Sequence, residues 1–544
     1  MPSKTEFLGS APSKLLLAAN VIMAVVYFVV LAFFFPHGNE ILFWVLIAGE
    51  VFHMWQALTY IYTAWELRHE AKFDPSFAPA VDVFITVAGE PVDIVEATAL
   101  AARDMEYPNH RVYILNDGYV AKKENWQEIE MMAKKIGVGC ITRKTPGGAK
   151  AGNINNAIRE TKSPYVAVFD ADHVPHKDFL LKTMGYFVDP NMGFVQAPQY
   201  YKNAHVNAVT VSSWEQQELF FGPICRGKNR LNSATMCGTN MVISRKALDE
   251  AGGMCDQSIA EDFATGLFIH ERGWKSLYVP EVLAEGLAPE DFLSYTKQQF
   301  RWARGALDVL FRYGLIFRRG LTMKQRIQYL SSVSYFLSGV VVAMNVCLPL
   351  LFFYFGLIPV KINTMLLALI FIPYIYLTIA MLSSTSNARF SFRAISFSMC
   401  SFGIHIRALW SAITGQKVGF SITSKRGLEG NFLRLATPHI VYIILVVIGI
   451  PVAILREGLS ASVVNNAAWC VFNIGMFVPY IMAAAPETAM KRRFTRAYET
   501  IFAPRKASVA SVKVVVSGEE IADIARSGAR NFQAAGNSKW QGRR

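Results

Sequence analysis

Four short stretches of this chain carry residue types that do chemistry. "FDADH" places Asp170 and Asp172 one residue apart at the end of an apolar run. Two such carboxylates suit a hard divalent cation, Mg2+ or Mn2+, which prefers oxygen ligands and is commonly shared with phosphate. "GGAKAGNIN" (147–155) is glycine-rich with one lysine, Lys150; small residues let backbone N–H groups approach an anion, and the ammonium adds a contact to phosphate oxygens. It lacks the spacing of a Walker A loop. "SIAEDFATG" (258–266) sets Glu261 and Asp262 before a helical run, and a carboxylate held near a reacting hydroxyl is what a general base requires. "KQQFRWARG" (297–305) stacks Gln298, Arg301 and Trp302 on one helix face, because residues three and four apart are neighbours. An amide, a guanidinium and a flat ring together suit an anion attached to a planar-faced molecule. Each stretch alone has a plainer reading: a solvated acidic turn, a glycine turn, acids favouring a helix dipole, or Arg and Trp at a membrane interface. Their presence in one chain argues for a single site.

The elements that must position these residues are legible nearby. "VDVFITVAG" (81–89), "RVYILNDG" (111–118) and "YVAVFDADH" (165–173) are short apolar, β-branched runs ending in Gly or a carboxylate, and they read as strands. "VDIVEATALAARDM" (92–105) has helical spacing. Strands alternating with helices imply a mainly parallel α/β sheet, in which ligands bind beyond the carboxyl ends of the strands. Asp117, Asp170 and Asp172 lie at such ends. The soluble α/β domain is expected over 71–320.

The rest of the chain reads as membrane. Of 544 residues 52% are hydrophobic, high for a soluble protein. Six apolar runs, at about 15–35, 41–65, 331–355, 364–382, 436–455 and 462–485, reach the roughly 20 residues that a span needs. Two precede the domain (1–70) and four follow it (321–490). The connections at 36–40, 356–363 and 456–461 carry only Lys361 and Arg456 as cations. Lys4, Lys14, the 66–330 region, the 383–435 stretch and "KRRFTR" (491–496) lie on the other side. The positive-inside rule then puts both termini and the domain in the cytoplasm. This asymmetry accounts for much of the +13 net charge and leaves nucleic acid a poor candidate partner. The seven cysteines contain no C-x-x-C pair, as expected of reduced thiols without a disulfide framework. Residues 394–413 mix apolar residues with His405 and Arg407 and read as an interfacial helix. The basic tail at 491–544 reads as disordered.

With Cys237-Gly238 added, the order Asp117, Lys150-Ala-Gly-Asn, Asp170-x-Asp172, Glu261-Asp262, Gln298-x-x-Arg301-Trp302 resembles that of processive family-2 glycosyltransferases with a GT-A fold. The likeness is to the bacterial cellulose synthase kind and related β-glucan (curdlan-type) synthases, and it covers about residues 80–430. The resemblance implies a GT-A domain inserted between transmembrane helices, a UDP-glucose donor, a growing β-glucan exported through the membrane of a bacterial cell, and accessory export subunits as further partners. It implies Asp117, Lys150, Asp170 and Arg301 for the nucleotide sugar, Asp170 and Asp172 for the metal, and Asp262 for the general base. Cys237, Glu261, Gln298 and Trp302 are implied for the acceptor. "FSITSK" (420–425) resembles the family's gating loop, giving Phe420, Thr423 and Lys425 that role. Departures are Ala88 where the family has an aromatic, Asn116 where a second Asp is usual, and Ala260 in place of the Thr of T-E-D. The chain after 486 is expected to be too short for the cyclic di-GMP-binding PilZ domain of cellulose synthases. Chitin- or hyaluronan-type synthesis from UDP-N-acetylglucosamine, a non-processive lipid-linked sugar transferase, and a nucleotide-sensing transporter are the alternatives.

Overall fold

The computed structural model describes residues 11–361, 364–384, 392–416 and 427–486. The expected gating-loop residues Phe420, Thr423 and Lys425, and the tail from 491, lie outside the described residues.

Among the described residues ten strands follow in chain order: β1 Val81–Val87, β2 His110–Asn116, β3 Gly139–Thr142, β4 Tyr165–Asp170, β5 Val174–Pro175, β6 Met192–Gln196, β7 Tyr200–Tyr201, β8 Met241–Ser244, β9 Lys275–Tyr278 and β10 Ala284–Gly286. Seven form one sheet in the order β3-β2-β1-β4-β8-β6-β9; β5, β10 and β7 form a small second sheet. The first four strands of the large sheet are mutually parallel, as their alternation with helices requires, while β8 runs antiparallel to both β4 and β6. β1 is buried along its whole length, so its run of Val, Phe and Ile packs on both faces of the sheet, the usual state of a central parallel strand. Register decides where chemistry can happen. Val87 pairs with Asn116 and Thr86 with Asp170, so Asp117 and Asp170 emerge at the same edge on either side of β1.

Among the described residues six helices are long and apolar enough to cross a membrane, by length and composition: Lys14–Phe33, Glu40–Ala64, Met323–Phe355, Met365–Ser384, Leu433–Glu457 and Ala461–Ala484. The third begins eight residues before the apolar run expected from sequence. Thr322 and Gln325 close a capping box there, and the extra turns are polar, so hydropathy detects only the lipid-compatible part. The connections at one end of these helices touch. Gly38 N–H donates to Pro359 O at 3.0 Å and Asn39 N–H to Ile358 O at 2.8 Å. Arg456 donates to the last carbonyls of the third helix, Phe352 and Phe353. The segment expected as one interfacial helix is two, Phe392–Cys400 and Phe402–Ile413. The break at Ser401 lets the second lie against the helix Phe292–Phe311, where Ser411 Oγ meets Arg304 Nε at 3.2 Å.

Candidate active site

Asp117 follows β2 and is fixed from both directions. Its N–H donates to Val87 O at 2.7 Å, and its carboxylate takes two bonds from Arg143, Nε–Oδ1 at 2.9 Å and Nη2–Oδ2 at 2.6 Å. Burial pushes the Asp117 carboxyl up, against the pull of Arg143. Arg143 also donates to the carbonyls of Gly147 and Ala149. It therefore ties Asp117 to the glycine loop, which turns through positive φ at Gly147, Gly148 and even Ala149. A non-glycine residue keeps such a conformation only where its surroundings impose it. The loop leads into the helix Ala149–Glu160 and so places Lys150 one residue inside its start. Asn153, the Asn of K-A-G-N, is buried and donates to Leu115 O at 2.9 Å, which fastens this helix under β2.

Lys150 Nζ meets Asp170 Oδ1 at 2.5 Å and Gly238 O at 2.8 Å. Burial works against its charge, but Asp170, Glu261 and Asp262 outweigh it and hold the ammonium above its ordinary pKa. The loop carrying Cys237 is held by hydrogen bonds: Cys237 N–H donates to Gln196 Oε1 at 2.9 Å, Gln199 Nε2 to Cys237 O at 2.8 Å, and Asp170 N–H to Thr239 Oγ1 at 2.9 Å. Gly238 is needed as glycine, since φ is +78° and an added Cβ would lie 2.8 Å from Asp262 Oδ2.

Glu261 and Asp262 form the first turn of the helix Glu261–Glu271, so the helix-dipole reading and the catalytic reading share one geometry. Burial and then the charge of Asp262 push Glu261 up to about 7, and burial raises Asp262 as well. The helix Phe292–Phe311, started by Asp291 capping Ser294 N–H at 2.8 Å, passes close by. A Cβ on Gly305 would lie 2.2 Å from Ala260 Cβ, and this contact puts Arg301 and Trp302, one turn earlier, beside Glu261.

One cavity is lined by Lys150, Asp170, Cys237, Glu261, Asp262, Gln298, Arg301 and Trp302, eight of the ten site residues read from sequence among the described residues. Asp117 is not on its wall; it lies behind the glycine loop, joined to it through Arg143. Asp172 is not on the wall either. The strand ends at Asp170, the chain turns, and the Asp172 carboxylate is buried beneath, 3.5 Å from His173 Nδ1 and accepting Leu287 N–H at 3.3 Å. The two carboxylates therefore do not converge in this arrangement, as the spacing alone suggested. Among the described residues no group of three His, Cys, Asp or Glu is placed to hold a metal. A cation here fits only the mode in which one carboxylate, Asp170, shares it with a ligand's phosphates. Sequence reading missed Arg143, Gln196, Gln199 and Tyr201. None belongs to a motif read there, and Tyr201 reaches the site only through the small second sheet.

Residues 79–305 match the family described as Glycosyltransferase like family 2, and residues 248–465 match the family described as Cellulose synthase. Over the first of these stretches, which holds the α/β domain, the chain is similar to the family 2 glycosyltransferases. It is 28% identical over 510 residues to the UDP-forming cellulose synthase catalytic subunit of Pseudomonas fluorescens, covering 89% of this chain and 67% of that one. It is 29% identical over 465 residues to cellulose synthase 1 of Komagataeibacter xylinus, covering 82% of this chain. To the catalytic subunit of Xanthomonas axonopodis pv. citri it is 33% identical over 296 residues, 52% of this chain. It spans 29% and 39% of the length of the last two relatives. A mannosyltransferase from Pyrobaculum calidifontis, solved with GDP-Man and Mn2+, superposes with a TM-score of 0.50 at 16% identity, over 69% of this chain and all of that one. The α/β domain of this chain has the GT-A glycosyltransferase fold.

Proposed function

We propose that this chain is a membrane-embedded, inverting and processive glycosyltransferase that uses UDP-glucose to extend a β-glucan and passes the product across the membrane. The observation that carries this reading is the convergence of Asp170, Lys150, Asp262, Arg301 and Trp302 on one cavity wall. Those residues are drawn from a strand end, two helix starts and a later helix, which is the set that sugar transfer needs and that binding alone does not. The similarity to UDP-forming cellulose synthases supports the donor class.

Lys150 and Arg301 hold the diphosphate from two sides and stabilise the charge that grows as it leaves. Asp170, with Asp172 if it turns outward, would hold Mg2+ or Mn2+, which supplies further neutralisation of that charge. Asp117, kept in place by Arg143, belongs to the nucleoside end. Trp302 offers a flat face to the acceptor sugar, with Gln298, Glu261 and Cys237 around it. The acceptor hydroxyl gives its proton to the Asp262 carboxylate as its oxygen forms the bond to C1. The C1–O bond to phosphate breaks with its electron pair on UDP, and the configuration at C1 inverts. The loop contacts at one end of the membrane helices and the charge asymmetry support a topology with the domain and both termini on the cytoplasmic side of a bacterial inner membrane.

The test is purified protein given UDP-glucose or UDP-N-acetylglucosamine separately, with any polymer digested by cellulase, β-1,3-glucanase or chitinase. Polymer from UDP-glucose cut by a glucanase is expected, and the enzyme that cuts it assigns β-1,4 or β-1,3 linkage. Polymer made only from UDP-N-acetylglucosamine and cut only by chitinase overturns the glucan assignment.

A further inference from the structure

We propose that His270 is a positioning residue for this reaction: it fixes the helix Glu261–Glu271, and with it Asp262, against the membrane helix Met323–Phe355. The proposal rests on the reading of Asp262 given above.

Asp262, Gly266 and His270 are spaced by four and form one stripe of their helix. The segment 234–238, which carries Cys237, runs alongside that stripe in step. Gly238 faces Asp262, with room for no Cβ between them, and a Cβ on Gly266 would lie 3.1 Å from Met236 Cβ. His270 Nε2 lies 2.7 Å from Ser276 Oγ, and that oxygen accepts Ala234 N–H at 3.1 Å. The stripe therefore meets the acceptor-side loop at three levels, and His270 sets the last.

The other ring nitrogen leaves the domain. His270 Nδ1 lies 2.7 Å from Tyr329 OH, a buried residue of the helix Met323–Phe355. The same membrane helix is stitched to the same loop region twice more, by Gln325 Nε2 to Asn232 O and by Lys228 Nζ to Ser332 Oγ, both at 2.8 Å. The imidazole is wedged among Phe194, Tyr329 and Ser276, and burial pushes it down to about 3. It stays neutral, one nitrogen donating and the other accepting, and each hydroxyl partner can take the complementary role. Such a ring is a fixed brace with both ends satisfied. It holds the helix of the general base in step with the helix Met323–Phe355, adding hydrogen bonds to the ring contact that Phe263, next to Asp262, makes with Tyr329 at 5.3 Å.

The experiment compares Tyr329→Phe, His270→Ala, His270→Gln and the double variant Tyr329→Phe/His270→Ala in the purified full chain, reading UDP release and UDP binding. Tyr329→Phe keeps the ring packing and removes only the hydroxyl. The expected result is a loss of about 10-fold in kcat for Tyr329→Phe and for His270→Ala, since small displacements of a catalytic group cost this much or more. Donor KM and UDP affinity stay within about 2-fold, the pattern of a lost transition-state interaction. The double variant is no slower than His270→Ala, because both changes break one link, and His270→Gln recovers part of the rate. Wild-type kcat in Tyr329→Phe overturns the proposal, as does a donor affinity that falls in parallel with kcat. If His270→Ala fails to fold, Tyr329→Phe and His270→Gln decide alone. A wild-type protein that turns over a different UDP-sugar overturns the glucan assignment only, and the same comparison is then made with that sugar; a wild-type protein inert toward every UDP-sugar overturns both readings.

Discussion

Lys150 Nζ lies 2.5 Å from Asp170 Oδ1. Under the proposed function the ammonium meets the phosphates of the nucleotide sugar and the carboxylate their cation; Gly238 O takes a second bond from the same nitrogen. A charge-assisted contact of this kind contributes about 1.5–3 kcal/mol. Lys150→Met is therefore expected to weaken UDP binding by about 10- to 100-fold, measured by titration in Mn2+. Unchanged affinity would remove Lys150 from the phosphate site.

Asp170 and Asp172 should not be equivalent. Asp170 lines the cavity, whereas Asp172 is turned beneath it toward His173 and Leu287. Excess EDTA is expected to stop turnover, and Asp170→Asn to abolish cation-dependent UDP binding. Asp172→Ala is expected to act more weakly, through the loop it anchors. Equal losses from the two substitutions would mean that Asp172 swings outward on binding, and full activity in EDTA would end the metal assignment.

The sequence carried much of this site, and the particular residues show why it did not carry all of it. The strands announced themselves because β-branched runs end in Gly or Asp, and strand ends are where a parallel sheet places its ligands. Gln298, Arg301 and Trp302 were grouped by helical spacing, and the helix Phe292–Phe311 presents all three to the cavity. D-x-D spacing, however, says nothing about side-chain direction once the strand has ended at Asp170, and Asp172 went inward. Arg143 sits 26 residues from its partner Asp117 and carries no motif, so its clamp on the glycine loop is visible only in three dimensions. Hydropathy placed the six apolar helices but not the polar turns at 323–330, which carry Tyr329.

Asp262→Asn is expected to keep UDP binding and to lower turnover by about 10²–10⁴-fold, the usual contribution of a general base. The amide keeps the shape beside Gly238 and removes the proton acceptor. Near-normal turnover in this variant would exclude Asp262 as the base.

Turnover should rise with pH through about 7, where the buried Glu261–Asp262 pair gives up its proton. The pair titrates together, so the apparent value belongs to both residues. Stability should move the opposite way. The folded value of Glu261 lies above its ordinary 4.5, so the folded state binds this proton more tightly than the unfolded state does. That contribution to stability is full below the ordinary carboxylate range and is lost as pH rises through about 7. Glu261→Gln removes the neighbouring charge and should shift the rise in turnover to lower pH. A profile identical to the wild type would show that this pair does not set the acid limb.

Gly305 tests whether the helix bearing Arg301 and Trp302 must approach as closely as it does. A Cβ at 305 would lie 2.2 Å from Ala260 Cβ and 2.8 Å from Ala260 N, and the second is backbone that cannot rotate away. Gly305→Ala must therefore push the helix Phe292–Phe311 away from the turn that leads into Glu261 and Asp262. Overpacking of this kind costs about 1–3 kcal/mol, so the thermal midpoint should fall. Because Arg301 and Trp302 ride on the displaced helix, turnover should fall further than stability explains, by about 10-fold or more. Gly475 is the control: it too lies in a helix, but an added Cβ there meets nothing within 4 Å, so Gly475→Ala should leave turnover unchanged and the midpoint unchanged or raised by the helix preference of Ala over Gly. Wild-type turnover and midpoint in Gly305→Ala would mean that the helix has slack to move and that the Gly305–Ala260 contact does not position the site.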